Sequence, residues 1–189
     1  MERLERVVVE IDLCRRLKEA GSWCGETHVQ KAHYFLQELT GVPTEHELVF
    51  YKHGPFSFDL HEELNAMRAD GYLRLVPQPI PYGPKIVVTD LGEGILRRFA
   101  HVAERFERQV GFVAAKLGGK GVNELERLST ALFVWKESPG AAPEELASQV
   151  HELKPHVSPE QARASVGDFL DIVEAARGAG LARGVPLVT

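Results

Sequence analysis

Apolar residues recur at helical spacing in seven stretches of this chain, and near residue 72 the period shortens to that of strands. Over residues 3–20, Leu4, Val7, Val8, Ile11, Cys14 and Leu17 share one face, and Gly21 stops the run. A second helix is predicted from Thr27, where Thr27 and Gln30 have capping-box spacing. Val29, Ala32, His33, Leu36 and Leu39 form its stripe, and Gly41-Val42-Pro43 ends it. The β-branched and aromatic run at 47–52 reads as a short strand. After a tight Gly54-Pro55 turn, a third helix is expected over 57–70, with Ser57 as its cap and Asp59 at the positive end of its dipole. Leu60, Leu64 and Met67 take its core face, which leaves Asp59, Glu62, Glu63 and Ala66 for solvent or a partner. Gly71 closes it.

Strands over 72–76 and 85–89 then flank a tip in which prolines and Gly83 surround Ile80 and Tyr82, so the tip is apolar. One long helix is predicted over about 90–117. Its seam runs Leu91, Ile95, Phe99, Val102, Phe106, Val110, Val113, Leu117. Gly118-Gly119-Lys120-Gly121 breaks it, and Asn123 with Glu126 has capping-box spacing for a helix over 124–136. Another helix is expected over 144–153. Ser158 and Gln161, with Pro159 at the first helical position, start a last one that runs to about Arg177.

The order helix, strand, tip, strand, helix over 51–99 is that of a winged helix-turn-helix. The expected fold is therefore mainly α with a small β wing: a winged-helix domain over 1–95, a helical extension over 96–178 packing on it, and a loosely ordered tail over 179–189. Charge bears on the partner. Of the net −5, residues 1–95 hold all, with 10 Lys/Arg against 15 Asp/Glu, while 96–189 hold 12 of each. Nucleic-acid binders need a basic face to neutralise phosphates, so the winged half is the wrong sign for the commonest use of its fold. The amino terminus lacks the basic and apolar regions of a signal peptide, and no apolar run reaches the roughly 20 residues of a membrane span. A cytoplasmic protein is expected, with Cys14 and Cys24 reduced.

The segments QKAHYFLQEL, YKHGPFSFDLHEELNAMRADGYL, ELERL and LKPHVSPEQA together resemble the YwgA-like group of uncharacterised bacterial and archaeal winged-helix proteins, over roughly residues 5–175. The stretch around His53-Gly54-Pro55 is also similar to the Panacea (SocA-like) antitoxin domain, in which a Tyr-Gly-Pro turn follows a similar helix; His53 stands where these families often carry tyrosine. The resemblance implies a regulator or interaction module that works without a cofactor, and it brings no catalytic residues.

Candidate chemistry is thin. Cys24, His28 and His33 lack the paired short spacings of a structural zinc site. Tyr51, His53 and Asp59 lie near Ser57, but no nucleophile elbow surrounds that serine, and a capping role explains it. The glycine-rich 118–121 run lacks the spacing of a phosphate loop. No enzyme, metal or cofactor is expected. The leading expectation is a protein interface formed by Asp59, Glu62, Glu63, Ala66, Ile80 and Tyr82, because carboxylates repel phosphates and attract a basic partner. The alternative is a DNA-binding regulator contacting nucleic acid through Asn65, Arg68 and Lys85, with Arg98, Arg105 and Arg108 as a reserve basic patch. Trp23, Phe56, Phe58 and Tyr72 serve either as interface anchors or as closure of the wing core. The 95–117 seam packs on the later helices, and a homodimer through it is the alternative use.

Overall fold

A computed structural model describes residues 1–80 and 83–183. Among these the chain is mainly helical, with two antiparallel hairpins. In order come α1 (Arg3–Glu19), α2 (Glu26–Glu38), β1 (Val49–Tyr51), β2 (Gly54–Phe56), α3 (Phe58–Ala69), β3 (Leu73–Val76), β4 (Lys85–Val88), α4 (Asp90–Arg98), α5 (Ala100–Leu117), α6 (Val122–Glu137), α7 (Pro143–Leu153) and α8 (Pro159–Gly178). No helix in this range is long and apolar enough to cross a membrane.

The core is continuous through both halves of the chain. Val7, Val8, Ile11 and Leu17 of α1 lie with Val102, Phe106, Val110 and Leu117 of α5, while Phe35 of α2 meets Phe169 of α8 at 6.3 Å. The apolar seam read over 95–117 is thus covered by α1 and α2 rather than by the later helices, and Leu91 at the start of the run is exposed. Of the stripe read on α1, Leu4 alone is exposed. At the carboxyl end Leu181 is buried and the Arg183 amide donates to Leu39 O at 3.0 Å, which ties residues up to 183 to α2.

Several local expectations are corrected. The helix read over 90–117 is two helices, broken at Phe99, whose φ/ψ of −116°/38° is not helical. α2 starts at Glu26 after Gly25, and no side chain caps it. Gln30, read as half of a capping box, instead holds the Ser57 backbone in both directions at 2.9 Å. α6 starts at Val122, and Glu126 turns inward rather than capping. The Gly54-Pro55 turn is also the second strand of a hairpin, paired Val49↔Phe56 and Tyr51↔Gly54. The Ser158–Gln161 capping box and the Ser57 cap, which accepts from Leu60 N at 3.1 Å, form as read.

Candidate interaction face

The β1–β2 hairpin and the first turn of α3 together present an aromatic cluster to solvent. Strand alternation sends Phe50 inward against Phe133 at 4.7 Å and Tyr51 outward. The Tyr51, Phe56 and Phe58 rings lie 5.1 to 6.0 Å apart, tilted or edge-to-face. Tyr51 is 47% and Phe58 52% exposed, and Val49 beside them is 37% exposed. Water-exposed rings at this density are what a partner buries. Glu47, Asp59 and Glu62, close by in the sequence, are exposed, and Lys52 Nζ lies 5.9 Å from the centre of the Tyr51 ring.

The hairpin is held rigidly from behind by two buried lysines. Lys31 of α2, 1% exposed, donates from Nζ to Pro55 O at 2.7 Å; Lys154, 4% exposed, donates to Lys52 O at 2.7 Å. Burial pushes the Lys31 ammonium down to about 8, partly offset by the Glu126 carboxylate. Glu126 Oε1 forms an ion pair with Lys154 Nζ at 2.8 Å, with the exposed His53 and His156 at 3.6 and 3.8 Å from the carboxylate. Burial raises the Glu126 carboxyl, but Lys154 and these histidines outweigh it and hold the group below the usual carboxylate range. Gly54, at φ +85°, presses its backbone against Thr130 and Ser129 of α6. Residues from four distant segments, 30–39, 51–73, 124–128 and 153–162, thus converge on this turn.

The face of α3 is less acidic than its sequence suggests. Glu63 is not available to a partner. It is buried, accepting from Arg6 Nε at 3.2 Å and pairing with His46 Nε2 at 2.8 Å. Helix phase explains the error: Glu63 directly precedes Leu64 and follows Leu60 by three, so it sits at the edge of the core stripe. Burial raises its carboxyl, yet the His46 and Arg6 hydrogen bonds bring it below the ordinary value. Asp70 is paired with Arg3 at 2.9 Å. Asp59 and Glu62 remain outward, with Ala66 half-buried. Along the wing side of α3 runs a polar ladder: His61 Nδ1 to Glu26 at 2.5 Å, Asn65 Nδ2 to His61 Nε2 at 3.1 Å, and Arg68 to Asn65 Oδ1 at 3.0 Å.

The other predicted residues are scattered. Ile80, in the connection between β3 and β4, is 97% exposed, and Tyr82 lies outside the described residues. Lys85 is half-buried on β4, bridged to Gly25. Arg98 stacks on Phe99, Arg105 pairs with Glu5 at 2.6 Å, and Arg108 donates to Ala179 O at 2.6 Å. The three arginines are each engaged within the chain and do not converge with Asn65 and Arg68. Trp23 is 41% exposed, whereas Tyr72 packs at the core edge.

As for metal-ligating groups, Cys24, His28 and His33 do not converge. Cys24 donates to Cys14 O, and His28 spans Ser22 and Leu117 O. Among the described residues Glu10, His33 and His46 do bring ligand atoms within 4.8 Å of one another. His33 Nδ1 faces Glu10 at 2.6 Å, His46 Nε2 faces Glu63, and the remaining ring nitrogens meet at 3.1 Å. Each ring nitrogen has a polar neighbour, while Glu10 Oε2 is buried without a hydrogen-bond partner, and the node ties α1, α2, α3 and the 40–46 loop together. Nor do the groups around Ser57 form a catalytic set. Its Oγ caps α3, Asp59 faces the Glu47 amide, and His53 points to Glu126.

Phe56 and Phe58, two residues apart about Ser57, mark part of the aromatic cluster in the sequence; Tyr51 joins them only through the hairpin register. Neither a family model nor a curated protein matches this chain.

Proposed function

We propose that this protein is a non-enzymatic winged-helix interaction protein, regulatory in the manner of an antitoxin or adapter, which grips a protein partner through the aromatic hairpin and the first turn of α3. The winged-helix assignment is supported by element order: α1, then α2 and α3, then the β3–β4 hairpin as wing. Residues 24 and 25 supply the short third strand, since Ile86 N donates to Cys24 O at 2.8 Å and Gly25 bridges Lys85.

The observation that carries the partner assignment is the exposed Tyr51–Phe56–Phe58 cluster on a hairpin braced by Lys31 and Lys154. Rigid aromatics lose little entropy on docking. The exposed carboxylates of Glu47, Asp59 and Glu62, close by in the sequence, suit a segment that alternates apolar and basic residues. Helix-turn-helix proteins read bases with the amino-terminal residues of the recognition helix, joined to its predecessor by a short turn. Here those residues are Phe58, Asp59 and Glu62, and residues 39–57 with their hairpin intervene. DNA binding through Asn65 and Arg68 is the less supported alternative.

A peptide array varying apolar and Lys/Arg positions tests the reading. Basic–apolar peptides should bind the wild type and be lost with Phe58→Asp, which leaves folding intact because the ring is exposed. Retention of mixed-sequence duplex DNA at low salt, lost with Arg68→Gln and unaffected by Phe58→Asp, would overturn it.

A further inference from the structure

We infer that the cleft between the amino end of α2, the wing side of α3 and β4 is a binding site for a small apolar carboxylate. The cleft has a volume of about 460 Å³, within the range of small-molecule sites. Leu64, Leu75 and Ile86 form an apolar floor, and Trp23 and Val122 line the walls. Such a surface favours an alkyl chain or a ring.

At the rim stands one guanidinium. Arg68 is fixed by Asn65 Oδ1 at 3.0 Å, and Asn65 is in turn fixed by His61. That bond uses one of the five N–H donors of the fork, whose geometry matches a carboxylate. The one acidic residue on the lining, Glu26, is held by His61 Nδ1 at 2.5 Å. Gly25 and the first turn of α2, residues 26–28, also border the cleft. No side chain caps that helix, so its first-turn N–H groups remain as donors for an anion, at an end they share with the Glu26 carboxylate. The buried His28 ring is satisfied by Ser22 and Leu117 and is not required for the ligand.

The site is distinct from the aromatic hairpin, and a ligand there would touch both α3 and the wing strand β4. Occupancy would therefore fix the wing against α3.

The probe is anilinonaphthalene sulfonate, an apolar ring system with one anionic group, followed by fluorescence on the folded chain. Octanoate should displace it at least about tenfold better than octanol, and Arg68→Gln should weaken octanoate about tenfold. Phe58→Asp, which disables the aromatic hairpin, should leave both values unchanged. Arg68 is exposed, so its replacement does not endanger folding. No fluorescence gain, equal displacement by octanol, equal octanoate binding by Arg68→Gln, or loss of binding in Phe58→Asp would each overturn the assignment. The proposal about the protein partner would survive the first three of these results.

Discussion

Lys31 Nζ lies 2.7 Å from the carbonyl oxygen of Pro55, with the whole side chain buried beneath the hairpin that it supports. An ammonium out of water is costly, and the site offers it one carbonyl and, further off, the Glu126 carboxylate. The consequence is visible in pH. The folded-state value of about 8 is below the ordinary 10.5, so charged Lys31 carries a cost that is fully present below pH 8. The cost fades as pH rises from about 8 to 10.5. Compared with Lys31→Met, the wild type should gain up to about 3 kcal/mol across that window. Paired denaturant titrations at pH 7 and pH 10 read the difference, and a constant gap would contradict it.

Glu63 gives a slope of the same sign, stability rising with pH, but in the acid range. Its carboxyl is held below the usual value by His46 and Arg6 in spite of burial. The stabilisation is present above the unfolded value near 4.5 and disappears as pH falls through the lower folded value. Glu63→Gln should cost on the order of 1–3 kcal/mol at pH 7, because Arg6 and His46 lose their charged acceptor. Once pH has fallen below the lowered folded value, the two proteins should melt alike.

Sequence periodicity carried the helices well, because each has an apolar stripe and several have stop signals that need no tertiary information. Ser57 and Ser158 were legible as caps for the same reason. What periodicity could not reveal was direction at stripe edges. Glu63 and Glu126 look solvent-facing in sequence, and only partners from distant segments, Arg6 and His46 or Lys154, make their burial favourable. Gln30 illustrates a further limit. Its spacing fits a capping box, but the Ser57 backbone, 27 residues away, competes for the same amide and wins. The aromatic face needed the register Tyr51↔Gly54, which a short strand does not announce.

Gly54 is required by both conformation and space. Its φ of +85° lies in the left-handed region, and an added Cβ would stand 3.3 Å from Thr130 Oγ1 and 3.4 Å from Ser129 Oγ. Gly54→Ala should destabilise by about 1–3 kcal/mol. Since the strain falls on the turn that aims Tyr51, peptide binding should weaken even at temperatures where the chain stays folded. Calorimetry on the variant separates the two effects.

Gly92 is the tighter constraint, and it sets where the wing ends. Thr89 Oγ1 accepts from Gly92 N at 3.1 Å and caps α4, which brings the helix start against the Tyr72 carbonyl. A Cβ on Gly92 would lie 2.5 Å from Tyr72 O and 2.9 Å from Val88 Cγ1. The carbonyl is backbone and also accepts from Thr89 N at 3.0 Å, so it cannot turn aside without loosening β3 from β4. Gly92→Ala should therefore cost about 1–3 kcal/mol through overpacking. The disturbance should concentrate in the wing: hydrogen exchange at the β3 and β4 amides should accelerate more than at α6 or α8, whose packing does not touch this junction. Uniform acceleration would mean that the wing and the helical core unfold as one unit, with Gly92 contributing only to global stability.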